Sequence, residues 1–330
     1  EVTLNRNTNA FNDCDLVPNI LASVGEPDLS TTVFGKKIDM PLFLSPCAMQ
    51  SLYTPEGDKA SARAAEKHGT MYSMSTMASF SIEEVAEISN CPKLFQLYVH
   101  KDQSITDDLI DRCRAANFNG LCLTVDTLVA GNRERDHRTG FTTPPKLTLE
   151  SLLSFAMRPE WVFKYLTNKK FELANIKNKT DKGTNIAKSV IDYINEQYDP
   201  AMNWKDAEYC IKRWSGPFAL KGVMSVEDAK RAIDIGCTAI MISNHGGRQL
   251  DGSRSPFDQV KAISDAVGDK LEIILDGGVR RGTHVLKALA AGAKACSFGK
   301  MFLFSLGAGG QQGVERVLQN MHDEIRRNMI

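Results

Sequence analysis

Pro217–His245 reads PFALKGVMSVEDAKRAIDIGCTAIMISNH. Two continuous apolar runs, Pro217–Gly222 and Ala239–His245, flank an amphipathic stretch, Val226–Ile235. A short run that is apolar at nearly every position suits a strand covered on both faces, and a helix joining two such strands is the crossover that parallel pairing needs. Outward from this βαβ unit the alternation continues. The runs Pro41–Pro46, Thr70–Ser75, Lys93–Val99 and Gly120–Asp126 precede it, and Glu272–Gly278 and Lys294–Gly299 follow. Helical stretches fall after them at Pro55–His68, Ser81–Ser89, Thr283–Ala291 and Val314–Met329, and Ser81-Ile82-Glu83-Glu84 opens like a capping box. Eight buried parallel strands with helices between them predict an α/β fold, a (β/α)8 TIM barrel, rather than an open sheet.

The domain plan follows from where the alternation stops. Residues 1–330 are read as one domain. Residues 1–40 form a lead-in over the barrel bottom or rim, 41–126 and 204–330 form the barrel, and 127–203 are a long insertion after strand 4. An excursion of that size is far longer than an ordinary βα loop, which marks it as functional.

Composition narrows the classes. With 42% hydrophobic residues, 330 residues support one large core. Forty basic residues balance forty acidic ones, so no global field favours nucleic acid. The eight cysteines are scattered without a Cys-x-x-Cys pair and read as reduced thiols of a cytoplasmic protein, not as a disulfide framework or a metal site. No apolar run approaches the roughly 18 to 20 residues of a membrane span, and Glu1-Val2-Thr3 does not open a signal peptide. The absence of an initial Met leads us to expect that a preceding segment is missing.

Polar residues collect where barrel enzymes build their sites, at the C-terminal ends of the strands. Ser75 ends the second, Gln96 and Tyr98 the third, Thr124 and Asp126 the fourth, Lys221 the fifth, Ser243-Asn244-His245 the sixth and Asp276 the seventh. Singly, each could be a structural strand cap; their recurrence on one face argues for function. Asp276-Gly277-Gly278-Val279-Arg280-Arg281-Gly282 and Ser297-Phe298-Gly299-Lys300 are glycine-bearing turns that open helices and bring an Arg and a Lys, a pattern suited to a cofactor phosphate. Glycines there also serve helix packing, so the cations carry that reading. In Ser243-Asn244-His245-Gly246-Gly247-Arg248-Gln249-Leu250-Asp251, two glycines let an imidazole and a guanidinium face one small ligand. Arg248, with Arg133 as a second donor, suits a carboxylate.

At these residues the chain resembles the FMN-dependent L-2-hydroxy acid oxidase and dehydrogenase family, and the L-lactate dehydrogenase type most. The segment 243–251 is close to the family signature, and Phe95–Val99, Leu123–Asp126, Leu220–Gly222 and Asp276–Gly282 match in order. The resemblance implies FMN as cofactor and oxidation of a small L-2-hydroxy acid, lactate first, to the 2-oxo acid. It implies His245 as the base, Asp126 as its partner, Arg248, Arg133 and Tyr98 as substrate ligands, and Lys221 as a catalytic cation beside the flavin. Pro46, Cys47 and Ala48 would lie against the flavin ring, Ser75, Gln96, Thr124 and Ser243 would bond it, and Asp276, Gly277, Gly278, Arg280, Gly299 and Lys300 would hold its phosphate end. Met77 and Ala130 match the pocket wall.

Three departures stand out. The Tyr that family members usually carry in an N-terminal segment is expected to lie before the given sequence, Lys300 stands where many members have Arg, and Cys47 where Thr or Val is often found. The resemblance further implies a homotetramer and an electron acceptor that is a quinone, a cytochrome or, in the oxidase alternative, oxygen. Another phosphate-binding barrel or a non-catalytic flavin carrier would not need Asp126, His245 and Arg248 together. In the insertion, Leu147, Leu149, Leu152, Leu153, Phe155, Trp161, Phe163, Tyr165 and Leu166 precede Lys169, Lys170, Lys177, Lys179 and Lys182. That segment reads either as a lid or subunit contact, or as a peripheral attachment to the inner face of the cell membrane.

Overall fold

The computed structural model describes residues 2–139, 148–167, 172–176 and 196–330. Eight strands, all parallel, close into a barrel: β3 (Leu42–Cys47), β4 (Tyr72–Ser75), β5 (Lys93–Leu97), β6 (Gly120–Thr124), β7 (Phe218–Val223), β8 (Ala239–Ser243), β9 (Glu272–Asp276) and β10 (Ala295–Phe298), with β10 returning to β3. Each of the eight apolar runs matches one of them, with β3 and β7 extending one residue past the runs Pro41–Pro46 and Pro217–Gly222. The strands are buried because helices cover their outer faces and side chains fill the interior, which is why their sequences lack a polar face.

Helix boundaries follow local chemistry. Ser81 caps Ile82–Ile88 in a full capping box with Glu84, and the Ser225 side chain accepts from Asp228 N at the start of Val226–Asp234. The predicted helix Val314–Met329 is the second half of a longer one, Lys300–Met329, broken where Gly309 and Gly310 leave helical geometry.

The lead-in divides between the two ends of the barrel. A hairpin of β1 (Thr31–Val33) and β2 (Lys36–Ile38) plugs the bottom, where Val33, Phe34 and Ile38 pack on Phe43, Leu94 and Met241 in the lower interior. The helix Val2–Asn9 lies at the opposite end, over the loops that follow β8 and β9. Within the insertion, the helices Glu134–Arg138, Leu149–Ala156 and Pro159–Thr167 are described, and residues 196–203 return to the barrel through a bridge from Tyr198 to His100. Leu147, Lys169, Lys170, Lys177, Lys179 and Lys182 lie outside the described residues. All eight cysteines are free thiols.

Candidate active site

Above the apolar floor the barrel interior turns polar. Lys221 on β7 and Asp276 on β9 form a buried ion pair, Nζ to Oδ2 3.0 Å. Ser45 and Ser297 donate to Oδ1 of Asp276 at 2.6 and 2.8 Å, and Ser243 donates to Oδ2 at 2.8 Å. Burial opposes the charge on either partner, yet the pairing and the serine donors hold Asp276 well below the usual carboxylate range and Lys221 above the usual amine range. Asp276 therefore turns its carboxylate into the barrel and away from the glycine turn with which the sequence groups it.

Ser243 links this pair to His245, whose backbone N–H donates to its hydroxyl at 3.1 Å. His245 sits in the left-handed region at φ 59°, a conformation that costs a side chain of this kind about 1 to 3 kcal/mol and is followed by positive φ at Gly246 and Gly247. The strained turn aims the ring at Asp126: Nδ1 lies 3.1 Å from Oδ1, with the Thr127 hydroxyl 3.2 Å from Nδ1 and donating to Oδ1 at 3.1 Å. Burial pushes the Asp126 carboxyl up, but His245, Lys221 and Thr127 together bring it below its ordinary value. An ionised carboxylate on Nδ1 favours the proton there and leaves Nε2 the basic nitrogen.

Beside His245 two arginines converge from different loops. A Cβ on Gly131 would stand 2.2 Å from the Arg248 carbonyl oxygen, so only glycine lets the loop after β6 approach the loop after β8 so closely. Gln249 fastens the two loops by donating to the carbonyls of Asp126 and Val129, each at 3.1 Å. Arg248 bonds Asp136 at 3.2 Å, while the Arg133 Nε is buried with no partner among the described residues. Burial, then repulsion from Arg248, lowers the Arg133 pKa. Tyr98 is buried, its phenol pushed up to about 12 chiefly by burial, and its ring stacks on Tyr198 at 4.5 Å.

A second cationic corner forms between β9 and β10. Lys300 donates to the Gly246 carbonyl at 2.6 Å, and Arg280 to the Val279 carbonyl at 2.9 Å. Burial, then Arg248 and Arg280, push the Lys300 ammonium down to about 8. Both cations stand near the starts of the helices Gly282–Ala290 and Lys300–Met329, where unsatisfied N–H groups add positive potential. The glycines here have a packing role: a Cβ on Gly278, at φ 76°, would lie 1.9 Å from the Asn7 carbonyl oxygen. The first helix is pinned over this corner, with Asn7 and Asn244 exchanging amide bonds of 2.7 Å and Asp251 accepting from the N–H groups of Val2 and Thr3. Gly277 meets Pro256, and a Cβ on Gly299 would come 3.2 Å from the Cys47 sulfur.

Between the two corners lies the wall formed by Pro46, Cys47 and Ala48 at the end of β3 and by Ser75, Gln96 and Thr124 on β4 to β6. Ser75 donates to Gln96 Oε1 at 3.0 Å and accepts from Met77 N at 3.2 Å. The Thr124 hydroxyl and the second carboxylate oxygen of Asp126 are buried with no partner among the described residues. Cys47 is pushed up to about 12, first by burial and then by Asp276, so it is a neutral thiol at ordinary pH. Met77 is buried and Ala130 half-buried at the edge of this wall.

Sequence reasoning passed over Asp136, Tyr198 and Asn7. Asp136 lies three residues past Arg133, an interval that puts the two on one face of a helical turn, and this could have been noticed. Tyr198 and Asn7 reach the site from distant stretches and leave no local signal.

Comparison with known proteins agrees along the whole chain. The family described as FMN-dependent dehydrogenase matches residues 1–330. An L-lactate oxidase of Nostoc sp. is 39% identical over 98% of this chain and 84% of its own length. An L-lactate dehydrogenase of Allorhizobium ampelinum is 38% identical over 99% of this chain and 86% of its own. Among solved structures, a monotopic membrane (S)-mandelate dehydrogenase superposes with a TM-score of 0.93 at 31% identity, covering 99% of this chain and 86% of that one.

Proposed function

Since the chain belongs to the family of FMN-dependent dehydrogenases, which oxidise 2-hydroxy acids, we propose that its substrate is a small L-2-hydroxy acid, with L-lactate the first candidate, and that His245 is the base. One observation carries this reading: an imidazole held 3.1 Å from an ionised carboxylate stands beside two converging guanidiniums. Arg248 and Arg133 grip the substrate carboxylate, and Tyr98 hydrogen-bonds the substrate from the third side. His245 Nε2 then takes a proton from the substrate, and Asp126 stabilises the imidazolium that results. The buried pair Lys221–Asp276 presents a fixed dipole at the mouth of the barrel, with its ammonium end nearer Asp126.

The residues fit FMN. Lys300 and Arg280 supply two positive charges for its phosphate, the unpartnered Thr124 hydroxyl and the Gln96 amide suit the polar edge of its ring, and Ala48 and the neutral Cys47 suit its face. When bound, FMN accepts the two electrons that leave the substrate. Lys300 gives a pH test. Its pKa of about 8 in the free protein must rise when an anion binds beside it, so binding takes up a proton above that pH. FMN affinity is therefore expected to fall as pH rises through about 8 and beyond, and Lys300→Arg is expected to flatten the fall; a pH-independent dissociation constant between pH 7.5 and 9.5 would count against Lys300 at the phosphate.

For the electron acceptor we favour a quinone or cytochrome over oxygen. Support comes from the helices Leu149–Ala156 and Pro159–Thr167 and the turn between them, which expose Leu149, Leu153, Met157, Phe163 and Leu166. Such a surface suits peripheral membrane attachment. No helix among the described residues is long and apolar enough to cross a membrane. Retention of all the protein in solution with anionic vesicles at low salt would remove the attachment, and a light-scattering mass other than four chains would remove the homotetramer. The reaction itself is tested by mixing the flavin-loaded protein anaerobically with L-lactate, D-lactate, glycolate and L-mandelate. Bleaching by an L-acid is expected; bleaching by none would overturn the substrate reading, and rapid return of colour in air would favour the oxidase alternative.

A further inference from the structure

We propose that Asp136 sets the charge of the substrate pocket and so selects monocarboxylic over dicarboxylic 2-hydroxy acids. The inference rests on the reading of Arg133 and Arg248 as the carboxylate grip. Two guanidiniums brought together from the loops after β6 and β8 would carry two positive charges, one more than a monocarboxylate can balance. Asp136 is the third charged group of this corner. Its Oδ2 lies 3.2 Å from Nη2 of Arg248, and its backbone N–H donates to the Arg133 carbonyl at 3.0 Å, closing the turn that carries both residues. Its field acts on both cations and is felt as far as the Tyr53 phenol, which also senses Arg248.

Of the neighbouring charges, Lys221 is balanced by Asp276, and Asp126 is turned to the Nδ1 side of His245, whose ring gains a charge only when it takes the substrate proton. Lys300, which also feels Arg248, and Arg280 carry two charges that suit a phosphate dianion. Arg133, Arg248 and Asp136 therefore leave a net charge of about one, the complement of a single carboxylate. The Arg133 Nε, buried and without a partner among the described residues, is one donor left for the ligand, whereas Arg248 already spends one nitrogen on Asp136. A second carboxylate in the same pocket would have no cation to itself and would face the Asp136 oxygen. Discrimination of this kind comes from an unpaired like charge as much as from attraction.

The test compares ligand pairs of similar size that cannot be oxidised, pyruvate against oxalate and propionate against malonate, by titration of flavin absorbance and by calorimetry, so that turnover is not needed. In Asp136→Asn the ratio of dicarboxylate to monocarboxylate affinity is expected to rise about tenfold, a modest value because the pair is partly open to water. Asp136→Ser should raise it likewise, and Asp136→Glu should restore the original ratio. If Asp136 only shapes the loop, both ligand classes weaken in parallel and the ratio stays within about threefold, which overturns the inference. Bleaching of the unaltered protein by L-lactate alongside an unchanged ratio would sink this inference while leaving the proposed reaction intact.

Discussion

His245→Gln is expected to slow reduction of the bound flavin by the hydroxy acid by about 10²- to 10⁴-fold, the usual contribution of a positioned base. Glutamine can still donate to Asp126, so the loop after β8 keeps its anchor while the proton acceptor is lost. The yellow colour should therefore persist, and binding of the 2-oxo acid product should change little, because Arg133 and Arg248 are untouched. Stopped-flow bleaching under anaerobic conditions measures the step. Reduction within about threefold of the unaltered protein would rule His245 out as the base and leave Asp126, whose second oxygen is buried without a partner among the described residues, as the group to examine.

Lys221→Met is expected to have the largest effect on stability, a loss of about 3 to 5 kcal/mol in urea unfolding of the flavin-free protein. The side chain it replaces is 5% exposed, and its removal leaves Asp276 charged and buried with only serine hydroxyls for company. The second substitution Asp276→Asn removes that stranded charge, so the double variant should recover much of the loss. A single variant within about 1 kcal/mol of the parent would mean that the serines alone satisfy Asp276. Catalysis adds a separate reading: the double variant, though refolded, lacks the ammonium near Asp126 and should still reduce its flavin slowly.

The barrel was legible because parallel strands buried on both faces must be apolar almost throughout, as Ile240, Met241 and Ile242 are, and because their polar ends break the run on one side only. The same logic exposed Asp126, Lys221 and His245 as candidates. Sequence could not tell which way Asp276 turns: one residue from a glycine turn, it could have faced the anion corner, and only closure of the ring brings Ser45 and Ser297 to it. Gly278 suits an anion turn by its sequence, and its further need to be glycine comes from Asn7, a partner far away in the chain. Asp58 shows the same limit in the core. It looks like an ordinary acidic residue in a first helical turn, yet it is fully buried, pushed up to about 6 by that burial, and bonded to Tyr72 at 2.8 Å.

The helix Val2–Asn9 also has a consequence for how the molecule is made. Its bonds to Asn244, Asp251 and Ser253 span 237 to 249 residues, and Lys287 reaches back 276 residues to the Phe11 carbonyl. A ribosome delivers this helix long before it delivers anything for the helix to rest on. Eight residues cannot hold a helix alone in water. The segment must therefore wait as loose chain until β8 and β9 have emerged, and it docks in the same late interval in which β10 meets β3. Synthesised early and placed late, it acts as a latch on the finished ring, so a nascent chain stalled before residue 244 should still carry this segment open to proteases.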